Sequence, residues 1–188
     1  MAPAAFTGPA LGLLELESLA RGVVVADALV KRAAVQIALA EAVTPGKYLL
    51  VFTGPVAEVE ESFRAGEAAG GKLILDRLLL PHIAESVVAA LKGRLDTVTA
   101  EDAVGIVEAH TVAATLKSAD AAVKRAPVRL TAIQLARGIG GKGWYTLAGD
   151  QHDVEAALEG AAQAIDASLL VGTEIIQRPH QELRGRVI

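Results

Sequence analysis

The 188-residue sequence predicts an α+β protein made of two tandem domains, each running β-α-β-β-α-β-α. Three observations carry that prediction. The first is an internal repeat, the feature to look for before any other. Ala10, Gly12 and Glu15 return as Ala103, Gly105 and Glu108, and the segment Ala26 to Ala33 (ADALVKRA) returns as Ala119 to Ala126 (ADAAVKRA). Over residues 10–35, 12 of 26 positions are identical at an offset of 93. The second is that short apolar runs alternate with longer amphipathic stretches in both copies. The third is composition. The chain is 52% hydrophobic, with 37 alanines but six aromatic residues, so its elements can pack closely.

Each element has its own justification. Residues 11–16 (LGLLEL) are a short apolar run, hence a buried strand. Residues 19–33 place Ala20, Val23, Val24, Ala28 and Val30 among charges at Asp27, Lys31 and Arg32, a helical spacing. Residues 35–43 alternate in part, as a strand does. Thr44-Pro45-Gly46 is a turn, because Pro fixes φ and Gly tolerates φ > 0. Residues 47–53 are a strand stopped by Gly54-Pro55. Residues 56–69 put Val56, Val59, Phe63 and Ala69 on one helix face and Glu58, Glu60, Glu61 and Arg64 on the other. Gly70-Gly71 ends that helix. A strand over 72–80 and a closing helix over 82–91 complete the copy. The second copy predicts strands at 103–109, 128–136, 142–147 and 168–177, helices at 111–125 and 152–165, and a short C-terminal helix. This order resembles a ferredoxin-like arrangement, with helices on one face of an antiparallel sheet.

Gly46-Lys47 and Gly54 match Gly141-Lys142 and Gly149 at an offset of 95, so the second copy has two extra residues before its third element. Pro81-His82 matches Pro179-His180 at an offset of 98. The expected domains are therefore 10–91 and 103–188, joined by a polar linker over 92–102 and preceded by an Ala/Pro-rich tail over 1–9 that is expected to be disordered.

Composition excludes several function classes. Charges interrupt every apolar run before the roughly 20 residues that a membrane span needs. The opening MAPAAFTGPALG has no basic region, so no secretory leader is expected. The absence of cysteine excludes disulfides, thiolate metal sites and a cysteine nucleophile. A net charge of −4 without a basic block argues against a nucleic-acid partner. A chain with mean hydropathy +0.41 and no membrane span is expected to hide surface in an oligomer.

Taken in order, these motifs resemble the domain of bacterial microcompartment shell proteins. They are the Gly-x-x-Glu strands (Gly12 and Glu15, Gly105 and Glu108), the Ala-Asp-Ala-x-Val-Lys helix ends, the Gly-rich turn, Gly149-Asp150, and Arg178-Pro179-His180. Two unpermuted copies resemble the tandem-domain, single-disc class. That resemblance implies a structural subunit and not an enzyme. It implies a homotrimeric pseudohexamer that tiles a shell in the bacterial cytoplasm with hexameric and pentameric partners. It also implies a central pore for small metabolites, lined by Thr44, Pro45 and Gly46 and by Gly138, Ile139, Gly140 and Gly141. Some tandem members hold an iron–sulfur cluster through a cysteine before the Pro-Gly pair. Thr44 stands at that place, so no cluster of that type and no other cofactor is expected. The tile-edge lysine of the family maps onto Lys31 and Lys124, and its edge arginine onto Arg178, with Leu80 as the matching residue in the first copy. The first copy also has Gly54-Pro55 in place of Gly-Asp, so pore and rim are expected to be threefold. No formal charge lies within the turns, although Arg137 precedes the second and Lys47 and Lys142 follow. The pore is thus expected to be small and neutral to mildly positive.

Other features read as structural. Gly138-Ile139-Gly140-Gly141-Lys142 lacks phosphate-loop spacing and joins two strands. His82, His110, His152 and His180 form no metal-binding pair. Glu15 and Glu108 lack a patterned acid–base partner and are expected to be satisfied charges at a domain junction. Asp27 and Asp120 are expected to be structural, bonding across subunits. Glu58, Glu60, Glu61 and Glu67 form a solvated face, and Trp144-Tyr145 belongs to core or interface. The competing function is a trimeric small-molecule-binding regulatory protein built from duplicated ferredoxin-like domains, which would show a saturable pocket and no tiling.

Overall fold

The computed structural model describes residues 10–99 and 102–184. The tail expected over 1–9, part of the expected linker and the last four residues lie outside the described residues. The chain forms two compact units, 1–83 and 84–188.

In the first unit the elements are β1 (Ala10–Leu16), α1 (Leu19–Arg32), β2 (Gln36–Val43), β3 (Lys47–Gly54), α2 (Val56–Gly70) and β4 (Ile74–Leu80). The sheet order is β2-β3-β1-β4 and every pairing is antiparallel. That is the α+β arrangement expected of the sequence. The core between helices and sheet holds Leu14, Leu16, Val25, Leu29, Leu50 and Phe52. Phe52 and Phe63 meet with ring centroids 6.4 Å apart. Gly71 closes α2 at φ +54 and ψ −129, outside the left-handed helical region and in one that glycine enters without steric cost.

The second unit begins with α3 (Glu85–Leu91) and continues with β5 (Ala103–Ala109), α4 (Val112–Arg125), β6 (Arg129–Leu135), β7 (Gly143–Gly149), α5 (Gln151–Ala164) and β8 (Leu170–Gln177). Its sheet repeats the order, as β6-β7-β5-β8. A single 3-10 turn, Gln181–Leu183, stands where a short C-terminal helix was expected. The compact units divide after Ile83, whereas the sequence places the closing helix in the first domain. The reason is packing. Val87, Val88 and Ala90 are buried, and α3 lies on β6 and α4. The segment expected as a linker is tied down at several described residues. The Asp96 amide donates to Leu130 O at 3.0 Å, the Thr99 amide to Asp102 Oδ2 at 2.5 Å, and Arg129 pairs with Asp102 at 2.6 Å. Burial alone would raise the Asp102 carboxyl, but the Thr99 and Arg129 hydrogen bonds outweigh it and hold it below the ordinary carboxylate range.

The repeat extends to irregularities. Register shifts fall between Ile37 and Leu39 and again between Leu130 and Ala132. Ser18 Oγ caps α1 by accepting from Arg21 N, and Thr111 Oγ1 caps α4 by accepting from Ala114 N. Both helices end on a Lys-Arg pair, which suits the negative end of the helix dipole. At one place the units have traded sizes. A Cβ on Gly22 of α1 would lie 2.2 Å from Tyr48 Cδ1, whereas a Cβ on Gly143 of β7 would lie 2.3 Å from Thr115 Oγ1 of α4. Tyr145 is fully buried, as the core reading of the Trp-Tyr pair expects. Burial pushes its phenol upward; Ser118 pulls the other way, although the hydroxyl makes no hydrogen bond of ordinary geometry.

Candidate functional site

The two β2–β3 type connections are built differently on the same base. In the first unit Thr44, Pro45 and Gly46 are all exposed. The Thr44–Pro45 peptide is cis, and Gly46 at φ +87 donates its amide to Val43 O at 2.9 Å. In the second unit the connection spans 136–142. Ala136, Gly138, Gly140 and Gly141 take φ between +55 and +85. Strand β6 therefore stops one residue earlier than the sequence predicts, because Ala136 has left the extended region. A Cβ on Gly46, Gly138 or Gly140 would meet nothing, so backbone conformation and not crowding requires glycine there. Ile139 is half-buried, while Arg137 and Gly140 face solvent.

Each connection is clasped where β3 or β7 begins. Lys47 Nζ lies 2.5 Å from Glu15 Oε1, an ion pair without hydrogen-bond geometry. Lys142 Nζ donates to Glu108 Oε1. These glutamates occupy matching positions in β1 and β5, at the register shifts between Glu15 and Leu16 and between Glu108 and Ala109. The sequence left both carboxylates without a patterned partner; the signal was there, because Lys47 and Lys142 match at the offset already used to align the turns. Their surroundings differ. The Glu15 side chain is 1% exposed and that of Glu108 37%.

Lys31 is exposed and pairs with Asp27 at 2.6 Å; Lys124 pairs with Asp120 at the same distance. Arg178 is exposed at φ +54. Its counterpart in the first unit is His82 and not Leu80. Register pairs Leu11 with Leu80 and the equivalent Val104 with Ile176, an offset of 96 and not 98. At that offset Ala84 (φ −63, ψ 135) coincides with His180 (φ −58, ψ 144), and each begins a helical turn. The shared Pro-His dipeptide is thus displaced by two residues between the units.

Asp150, His152 and Asp153 come together, with ligand atoms within 4.8 Å, a cluster the sequence reading missed. They stand at the N-terminus of α5, where acidic groups complement the helix dipole. Among the described residues no helix is long and apolar enough to cross a membrane.

The BMC domain model matches residues 10–83 and again 103–179. This chain belongs to the bacterial microcompartment shell proteins. It is 40% identical over 180 residues to the shell protein PduT of Citrobacter freundii, covering 95% of this chain and 97% of that one. Among solved structures it is similar to a microcompartment protein from Desulfitobacterium hafniense, with 35% identity and a TM-score of 0.87 over 93% of this chain and 97% of that one. The fold is also that of the fused permuted hexameric shell protein MSM0275 from the RMM microcompartment, at 21% identity and a TM-score of 0.60 over 82% and 79% of the two chains. Its role is structural, as a shell subunit with two BMC domains in tandem.

Proposed function

We propose that three copies form a single-disc pseudohexamer, placing the two kinds of turn alternately around a central pore. Thr44, Pro45, Gly46, Gly138, Ile139, Gly140 and Gly141 line it in this reading. The observation that carries it is the shared clasp: turns of different length end on the same glutamate–lysine pair. The matching clasps support equivalent placement of the two turns in the tile, and their unequal lengths favour threefold over sixfold symmetry. Lys31, Lys124 and Arg178 lie at the tile edge, against hexameric and pentameric shell partners in the bacterial cytoplasm. The tile acts without catalysis, passing compact polar metabolites.

Mass in solution tests the tile first. Three chains of 19.4 kDa give about 58 kDa, and concentrated protein should form flat arrays under the microscope. A monomer that never tiles would refute it. The pore is tested separately by flux through reconstituted tiles. Small solutes should pass and bulky ones should not; equal passage of both would remove the pore assignment.

A further inference from the structure

The outer face of α1 is apolar and open, and the matching face of α4 is closed. Leu19 and Val23 are 53% and 54% exposed, while the equivalent Val112 and Leu116 are 0% exposed. Asp27 continues the row, four residues beyond Val23 and so on the same side of the helix. Its side chain is 58% exposed, against 10% for Asp120. Both aspartates hold the lysine one turn on. What Asp120 has in addition is a backbone donor: the Ala84 N–H reaches its Oδ1 at 2.7 Å. Ala84 begins α3, the helix that lies on α4.

The strand register identifies the counterpart of that covering segment. Ala84 corresponds to His180, whose backbone angles are nearly the same, and Val87 corresponds to Leu183. Leu183 is itself one of the large exposed apolar side chains. One chain thus carries an open apolar face ending in a carboxylate. It also carries, in its other unit, the relative of the segment that caps such a carboxylate.

We infer that residues 180–183 of one copy dock on the α1 face of a second copy. The His180 backbone N–H donates to Asp27, and Leu183 covers Leu19 and Val23. The inference rests on the tile reading and names the surface that assembles it. The contact joins two different patches, so it runs head to tail, and in the three-copy tile it closes a ring.

The chain has no cysteine, so introduced thiols are the only thiols present. Val23→Cys and Leu183→Cys, both at exposed positions, are made singly and together in full-length protein and treated with a short bismaleimide. Neither single variant should link to itself. Co-expressed single variants should give one covalent dimer and nothing larger. The double variant should give a ladder ending at the native oligomer. Self-linking of Val23→Cys would mean an α1–α1 contact and overturn the inference. An unlinked double variant of native mass near three chains would overturn it too, and leave the tile intact. A 19.4-kDa monomer for the unmodified protein would overturn both. Asp27→Ala should weaken assembly about tenfold, as loss of one charge-assisted hydrogen bond does. Asp27→Asn, which keeps an acceptor oxygen, should weaken it less; unchanged assembly in Asp27→Ala would overturn the capping bond.

Discussion

Where helix meets sheet, the first unit puts its bulk on the strand and the second puts it on the helix. Tyr48 of β3 fills the space left by Gly22 of α1, and Thr115 of α4 fills the space left by Gly143 of β7. The four positions are related pairwise by the repeat, yet no residue is shared. The fold therefore requires one partner at this contact to be small and leaves open whether helix or strand supplies it, as close packing allows. A similar contrast separates the two clasps. Both units hold a turn with a glutamate and a lysine, but one carboxylate is buried and the other is partly solvated.

The strongest way to break this comparison is to import one half of the trade. Gly22→Thr should destabilise the protein by about 3 kcal/mol, because the Tyr48 ring already occupies the place of the new Cβ. Combined with Tyr48→Gly it should cost clearly less than the two single changes added, by about 1–3 kcal/mol of coupling in denaturant unfolding. Additive costs would mean that the two positions do not share a volume. Next in size are the clasps. Glu15→Gln should cost about 2 kcal/mol, since it leaves the Lys47 ammonium beside a neutral, buried amide. Glu108→Gln should cost under ~1 kcal/mol, as a half-exposed pair does. Equal losses in thermal unfolding would erase the difference between the units.

Asp102 has no carboxylate counterpart in the first unit, where Pro9 stands at the matching position of the sequence, so it sharpens the comparison through pH. Its pKa in the folded protein is lowered, so its stabilisation is complete above the ordinary carboxylate range. That contribution is lost as pH falls through the folded value. Asp102→Asn should cost about 1–2 kcal/mol at neutral pH and flatten the acid limb of the stability profile. An unchanged acid limb would show that the tether contributes nothing. The caps come last, with effects close to that of Glu108→Gln. Ser18→Ala and Thr111→Ala should each lower stability by about 1 kcal/mol, and by similar amounts if the two helices begin alike.

Much of the architecture was legible because the sequence is written twice. Strand β5 matches its expected bounds and the other strands and long helices fall within about two residues. Signals such as Gly70-Gly71 and the Lys-Arg helix ends depend on neighbours in sequence, and a single chain displays them. What escaped depends on partners distant in sequence. The apolar side of α3 is plain in Val87, Val88 and Ala90, but nothing local says that it lies on β6 and α4. The Pro-His dipeptide misled because a two-letter match outweighed strand register, which only pairing reveals. At the turns, glycine announced a change of chain direction, whereas the left-handed Ala136 carried no signal at all.

The placement of α3 also bears on how the protein is made. A ribosome finishes the first unit before α3 emerges, and the 44 residues from Lys92 to Leu135 must follow before α4 and β6 exist to receive it. At roughly 5–20 residues per second that is a wait of about 2–9 s. Seven residues are too few for a helix that stands alone. The nascent chain therefore trails a short, unpaired apolar hook behind a completed first unit, and the hook becomes a helix when translation delivers the surface it fits.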